Sequence, residues 1–210
     1  MSRKAVGTEG TGKSGMALKN VVTIGMLSAI AMILMLFEFP IPFIAPSFYE
    51  IDLSEVPVLI GTFAMGPVAG VLIELVKILL KLLIKGTSTA YVGDLANFVV
   101  GCAFLIPAGL IYWRKKTLKN AVIGLTAGGL TMVVAGSLMN AFVLLPLYAK
   151  MFMGGMDNII AAGAAVNGNI NSVFSFVVLA VAPFNLVKAI IVSVLTLLLY
   201  KRVSNLIKKF

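Results

Sequence analysis

The stretch that decides the fold is NSVFSFVVLAVAPFNLVKAIIVSVLTLLLY, residues 171–200. It is longer than the ~20 mainly apolar residues that a helix needs to cross a bilayer. It carries one charged side chain, Lys188, and Asn185 lies three residues earlier on the same helical face. An ammonium group at membrane depth costs at least ~2.5 kcal/mol. We therefore interpret 171–200 as a transmembrane helix in which Lys188 and Asn185 serve a function.

The composition of the whole chain is typical of a membrane protein. Of its 210 residues, 60% are hydrophobic, and the mean hydropathy is +1.06. At ~20 residues a span, this length holds about six spans with short connections. Because backbone groups in lipid must pair within their own segment, we predict an all-α integral membrane protein with six transmembrane helices. The predicted spans are 20–37, 55–66, 67–85, 92–113, 119–149 and 171–200.

The basic residues predict how these helices are oriented. Most of them lie in the N-terminal tail, in the connection after the fourth span or at the C-terminus. They are Arg3, Lys4, Lys13, Lys19, Arg114, Lys115, Lys116, Lys119, Lys201, Arg202, Lys208 and Lys209. Six spans place all three groups on one side, which the positive-inside rule makes the cytoplasm. Both termini are therefore predicted to be cytoplasmic, in a multi-pass protein of a prokaryotic-type plasma membrane, and the net charge of +9 indicates no nucleic-acid partner.

Residues 1–19 are predicted to form a flexible basic tail, and 20–210 a single membrane domain. The tail contains GTEGTGKS at 7–14, which matches the phosphate-loop pattern. That loop needs a strand before it and a helix after it within a parallel sheet. Too few residues precede the pattern here, so we predict no nucleotide site.

Two long connections lie on the side opposite the basic clusters. Residues 38–54 contain three prolines and several aromatic residues, and 150–170 are rich in glycine, alanine and asparagine. Long connections in compact domains are often lids or binding loops. We therefore predict that a ligand binds from outside. The alternative is that both segments are passive linkers.

Four charged residues fall on one face of the third span: Glu74, Lys77, Lys81 and Lys85. They could line a cavity. The interpretation we favour is an internal ion pair of Glu74 and Lys77, with the other two lysines reaching toward the outer headgroups.

Asn140 and Lys188 both fall in the outer half of the bilayer, from the helical rise between each of them and the cytoplasmic edge. Pro146 follows Asn140 and Pro183 precedes Asn185, so each helix is predicted to break near its polar group. Hydrogen bonds between helices would explain an asparagine. They do not explain Lys188, because no acidic residue is evident at its depth. We expect the partner of Lys188 to be a ligand.

Two carboxamides and an ammonium group offer many donors and a few acceptors. This set fits a neutral or anionic small molecule with a flat body and a carbonyl-rich edge. The apolar walls are predicted to come from four neighbours, Phe142, Leu144, Leu145 and Phe184.

Catalytic chemistry has little support in the sequence. The chain has no histidine and one cysteine, Cys102, so the usual nucleophiles, bases and metal ligands are missing. We predict no enzymatic activity, no metal and no catalytic cofactor. The alternative class, an intramembrane enzyme, would depend on Glu74 as its only buried acid.

Several segments, in this order, resemble the riboflavin-specific substrate-binding subunits of energy-coupling-factor (ECF) vitamin transporters. The segments are FPIPF at 39–43, VPVLIGTFAMGPVAG at 56–70, LANF at 95–98, NAFVLLPLY at 140–148 and PFNLVKA at 183–189. The resemblance implies a six-helix subunit that binds one riboflavin near the outer face and hydrolyses no ATP. It also implies docking onto a transmembrane coupling protein with two cytosolic ATPase subunits.

The resemblance also assigns residues. It implies that Asn140, Asn185 and Lys188 bond the ligand, with Tyr49 of the first loop and Asn97 as further contacts. In the first helix, Gly25 and Ala29 are small residues four apart, which the resemblance places against the coupling protein. Packing within the subunit is the alternative for these two. FMN, pantothenate and thiamine stay open as other ligands, although the charge of Lys188 disfavours cationic thiamine.

Overall fold

The computed structural model describes the backbone of residues 10–87 and 89–207 and the side chains of 18–87 and 89–200. Over these residues the chain is helical apart from its connections and one short β-bridge. The helices are α1 (Gly10–Leu36), α2 (Glu55–Met65), α3 (Pro67–Ile84), α4 (Val92–Arg114), α5 (Leu118–Met139), α6 (Leu145–Met151), α7 (Met156–Val166), α8 (Val173–Phe176) and α9 (Ala182–Ile207). Two π-helical turns, Asn140–Leu144 and Val177–Val181, join α5 to α6 and α8 to α9.

Four helical segments of the described chain are long and apolar enough to cross a membrane. They are Leu18–Leu36, Val92–Arg114, Leu118–Met151 and Val173–Tyr200. The predicted second and third spans are also helices, α2 and α3, with nearly the predicted ends. However, α2 has 11 residues and α3 carries three charged side chains, so neither is a span by length and composition alone. The count of six spans therefore stays a prediction.

A sharp turn at Gly66 joins α2 to α3. Gly66 has φ of +103°, a conformation that favours glycine, and Pro67 then starts α3 where its missing N–H costs nothing. The carbonyl of Thr62 accepts hydrogen bonds from the Gly66 amide and from Trp113 Nε1 of α4. The turn is thereby attached to the neighbouring helix, which keeps α2 and α3 side by side.

The polarity of the bundle is that of a membrane protein, with charges inside and apolar side chains outside. Leu83, Phe174 and Val68 are 82%, 78% and 75% exposed, whereas Glu74 and Lys77 are fully buried. One apolar core lies among α2, α4, α5 and α9 around Phe63, and a second lies among the first long connection, α7 and the π-turns.

The connection 38–54 folds back onto the end of the bundle. Its two ends pair as a short antiparallel bridge, β1 (Phe39–Pro40) with β2 (Glu50–Ile51). Ala45, Ile51 and Asp52 are almost completely buried. The segment is therefore part of the packed structure, and the alternative of a passive linker does not hold for it.

The two other segments predicted without regular structure are partly helical. Within 150–170, α7 packs Gly163 against the ring of Phe176, so close that a Cβ at Gly163 would lie 2.6 Å from it. Within 1–19, α1 begins at Gly10, and residues 1–9 lie outside the described part. The second half of the phosphate-loop pattern is thus helical, and its start falls on residues not described.

Candidate ligand-binding site

Two π-helical turns place the asparagines of the site. The Leu145 amide donates to the Asn140 carbonyl, and the Ala182 amide donates to the Val177 carbonyl, each five residues back. Pro146 and Pro183 follow these turns and have no N–H for an ordinary helical bond. The predicted breaks are confirmed, and each takes the form of one extra residue in the turn, a device often found at functional sites.

The side-chain amides of both asparagines are held by their own helices. Asn140 Nδ2 donates to the Gly136 carbonyl at 2.8 Å, and Asn185 Nδ2 donates to the Val181 carbonyl at 2.9 Å. Gly136 also gives Asn185 its space, because a Cβ there would lie 2.9 Å from Nδ2. These bonds fix the orientation of both amides before any ligand arrives.

The first long connection supplies partners to this polar group. Tyr49 Oη donates to Asn140 Oδ1 at 2.5 Å. Lys188 Nζ donates to Asp52 Oδ2 at 2.9 Å, and both side chains are buried. The expectation that no acidic residue reaches the depth of Lys188 is therefore wrong. Asp52 belongs to the connection 38–54, which the sequence predicts on the outer side. The fold of this connection carries Asp52 into the bundle.

Electrostatics keep this pair ionised. Burial by itself would raise the pKa of Asp52, but the ammonium groups of Lys188 and Lys77 and a hydrogen bond from the Ser54 amide outweigh it. The pKa of Asp52 therefore lies below its usual value. Burial raises the pKa of Tyr49 well above its usual value, so its hydroxyl stays a neutral donor.

All five predicted ligand-binding residues line one cavity: Tyr49, Asn97, Asn140, Asn185 and Lys188. The cavity has a volume of about 190 Å³ and opens to the surface of the protein. The structure thus brings together residues from α4, the first π-helical turn, α9 and the first long connection.

The walls of the cavity are aromatic and aliphatic. Phe184, Leu144 and Leu145 line it as predicted, whereas Phe142 is 76% exposed and faces away. The ring of Tyr49 lies 5.4 Å from that of Phe184, centroid to centroid. A flat aromatic ligand would find ring faces here and amide groups at one end.

The lysines on this face of α3, and Lys85 at its C-cap, each pair with an acidic side chain. Glu74 and Lys77 form the predicted ion pair, at 2.7 Å. Lys81 pairs with Asp94, and Lys85 pairs with Glu38. Lys81 and Lys85 line a second cavity, which shares Glu38, Glu50 and Asn97 with the first. The favoured interpretation is therefore right for Glu74 and Lys77 and wrong for Lys81, which pairs inside the bundle. For Lys85, whose side chain is 45% exposed, it stays a prediction.

Gly25 and Ala29 lie far from the cavity, on α1. Gly25 is exposed, and a Cβ added there would meet no atom within 4 Å; Ala29 is partly exposed. Packing of Gly25 within the subunit is therefore not what the structure shows.

Comparisons with known proteins agree with this architecture. The profile of the family "ECF transporter, substrate-specific component" matches residues 19–200. The chain belongs to this family. It is 40% identical to "Riboflavin transporter RibU" of Staphylococcus aureus (strain TCH60) over 191 residues, 91% of this chain and 93% of the relative. It is 30% identical to "Riboflavin transporter FmnP" of Bacillus subtilis (strain 168), over 92% of this chain and 96% of the relative.

A solved structure has the same fold as this ECF substrate-specific component. It is described as "Structure and mechanism of the S component of a bacterial ECF transporter" and matches with a TM-score of 0.71 at 38% identity. The match covers 91% of this chain and 99% of that one. The relatives are transport proteins of the bacterial membrane, and this component is a multi-pass membrane protein like them.

Sequence reasoning missed several residues that this ECF component places at the cavity, among them Phe48, Asp52, Tyr148 and Glu50. Tyr148 stands in NAFVLLPLY, two residues after Pro146, so the motif itself was a signal. The other three lie in the connection 38–54. No hydrophobic periodicity in this segment predicts that it folds into the bundle.

Proposed function

We propose that this substrate-specific component captures riboflavin from outside the cell and delivers it inward with an ATP-driven ECF module. One observation carries the proposal most directly. The first of the two cavities joins the amides of Asn140 and Asn185, the ammonium of Lys188 and the aromatic wall of Tyr49 and Phe184. The riboflavin transporters among the relatives support the choice of ligand.

The chemistry of the cavity suits the flavin ring. A planar, uncharged ring system can lie against Tyr49 and Phe184, where aromatic contacts contribute about 0.5–1.5 kcal/mol beyond burial. Its carbonyl oxygens can accept hydrogen bonds from Lys188 and the amide nitrogens. Its ring N–H can donate to an amide oxygen.

The charge of the lining favours a neutral ligand. Lys188 is already paired with Asp52 and Glu38 with Lys85, whereas Glu50 adds negative charge at the same cavity. An added phosphate, as in FMN, would face these carboxylates without an unpaired lysine among the described lining residues. Because Asp52 neutralises Lys188, the charge of that lysine no longer argues against thiamine. The charge of Lys188 therefore does not decide between riboflavin, thiamine and pantothenate. Their shapes and a competition experiment decide instead.

The topology and the partners complete the proposal. Six membrane helices with both termini in the cytoplasm, a basic tail over 1–19 and one membrane domain over 20–210 would place the cavity mouth outside. The exposed small residues Gly25 and Ala29 on α1 leave room for a coupling-protein helix to approach closely. Two cytosolic ATPase subunits would supply the energy, and the component itself would catalyse no reaction.

A fluorescence titration tests the ligand. Purified protein, unfolded to release any bound ligand and refolded, is titrated into riboflavin, with FMN, pantothenate and thiamine as competitors. We expect stoichiometric quenching of riboflavin fluorescence, weaker competition by FMN and none by the other two. Release of riboflavin by pantothenate or thiamine at equal concentration would assign the cavity to that ligand instead.

A further inference from the structure

Five buried charged side chains form one network that runs from the cavity into the bundle. They are Asp52, Glu55, Glu74, Lys77 and Lys188, each between 0% and 7% exposed. Lys188 donates to Asp52, the Ser54 amide donates to the other oxygen of Asp52, and Lys77 donates to Ser54 Oγ. Asp52 and Lys188 line the cavity, so the network connects the ligand site to the acids between α2 and α3.

The network has one negative charge too many. Three carboxylates face two ammonium groups, so full ionisation would leave a net charge of −1 in the membrane interior. An uncompensated charge that deep is much more costly than a neutral group. One proton or one further cation must therefore balance it.

Lys77 cannot satisfy both glutamates. Lys77 Nζ donates to Ser54 Oγ at 3.1 Å and to Glu55 Oε1 at 2.9 Å, and it lies 2.7 Å from Glu74 Oε2 as an ion pair. Glu55 Oε2 and both carboxyl oxygens of Glu74 are buried and have no hydrogen-bond partner among the described residues.

The two glutamates lie against the same point of α4. A Cβ at Gly101 would be 2.7 Å from Glu74 Oε1 and 3.2 Å from Glu55 Oε1. Two carboxylates this close repel each other when both are ionised. The repulsion is relieved when one of them holds a proton. The other titratable groups that act on them are Lys77, Lys188 and, on α4, Cys102. Groups of three or more metal-ligating side chains are absent from the described residues, which favours a proton over a metal ion.

We propose that Glu74, which lies beside Glu55, holds one proton at neutral pH, which makes the buried network electrically neutral. The site is a proton-binding site joined to the ligand cavity by Lys77, Ser54 and Asp52. It stands apart from the proposed function, because the charge count of the empty protein requires it whatever ligand the cavity takes.

Because the network reaches the cavity, we predict that proton binding and ligand binding are coupled. This part rests on the proposed ligand contact of Lys188. A ligand that draws the Lys188 ammonium away from Asp52 makes the network more negative, so Glu74 holds its proton more tightly. By reciprocity, the proton then favours the ligand. Riboflavin should bind more weakly once alkaline pH removes the proton.

Infrared spectroscopy tests the proton directly. Protein in a detergent free of ester and carboxyl groups is measured near pH ~8, far above the ~4 at which exposed carboxyls titrate. We expect a carboxylic-acid C=O band that shifts in heavy water. Glu55→Gln and Glu74→Gln should each abolish it, because either neutral amide removes the excess charge. The control Asp157→Asn, at an exposed acid of α7, should keep it.

Two results would overturn the proposal. One is wild-type protein without an acid band at pH ~8, a measurement that needs no variant to fold. The other is a band that survives both substitutions in folded protein. The coupling is tested by the dissociation constant of riboflavin against pH, which should rise in the wild type as the band disappears and stay flat in Glu74→Gln. A flat wild-type profile would reject the coupling. Protein that shows the band but binds no riboflavin would reject the proposed function and leave the proton site standing.

Discussion

Replacement of Lys188 by methionine has two separate consequences, one for the fold and one for the ligand. In the fold, the Asp52 carboxylate would stay buried without its partner. At the observed 2.9 Å and an effective dielectric constant of about 20, the attraction is roughly 6 kcal/mol. The desolvation of both ions offsets part of it, so we expect a loss of about 3–5 kcal/mol of stability.

For the ligand, Lys188→Met removes a charged hydrogen-bond donor. We expect this to weaken riboflavin binding by about 1–3 kcal/mol, or roughly 5- to 150-fold in the dissociation constant. A single variant cannot separate this effect from the damage to the fold.

The double variant Lys188→Met with Asp52→Asn makes the separation. Asparagine has the shape of aspartate and keeps an oxygen for the Ser54 amide, which now donates to Asp52 Oδ1 at 2.7 Å. No charge is then left unpaired at this position. We expect the melting temperature to recover most of its loss, whereas riboflavin affinity stays low.

Thermal unfolding and fluorescence titration in one detergent measure both effects. An unchanged melting temperature in Lys188→Met would refute the buried ion pair. Wild-type affinity in the double variant would refute the contact between Lys188 and the ligand, and would leave the lysine a purely structural role.

Three further predictions concern other parts of the chain. Gly25→Leu should leave riboflavin affinity unchanged and stop uptake by cells that supply the whole transporter, since Gly25 is exposed on α1; normal uptake would remove it from the docking surface. Gly101→Ala should destabilise the protein by about 1–3 kcal/mol, because its Cβ would meet Glu74. The control Gly168→Ala, whose Cβ would meet nothing within 4 Å, should be nearly neutral. Equal melting temperatures of the two variants would contradict the close packing at Gly101. Because the pKa of Asp52 is lowered in the fold, its ionised form stabilises the protein above about pH 4, and this contribution is lost as pH falls; Asp52→Asn should melt with a weaker acid dependence than the wild type.

The sequence was a good guide wherever a rule about membranes applied. A charged side chain within the membrane is costly unless it has a function, and this indicated Lys188. Helical spacing then indicated Asn185. Prolines beside polar residues pointed to breaks near Asn140 and Asn185, although the π-helical form of the breaks depends on how the flanking helices pack. The ends of α2 and α3 were also predicted closely, because the Gly66-Pro67 turn leaves a clear signal.

What the sequence did not reveal depends on the connection 38–54. Its prolines and aromatic residues have no helical or strand period, so nothing local indicates that Ile51 and Asp52 turn inward. Tertiary packing decides this, through the β-bridge and the apolar core beneath it. The same fold explains why Lys188 seemed to lack a partner and why Glu50 was not expected at the cavity.

The most direct test of the central claim is the absorption spectrum of the protein purified from cells that contain riboflavin. The account predicts flavin absorption bands that correspond to about one flavin per chain. Separating the unfolded protein from the released flavin should remove these bands, and adding riboflavin to the refolded protein should restore them. Colourless protein that also leaves riboflavin fluorescence unchanged after refolding would contradict it.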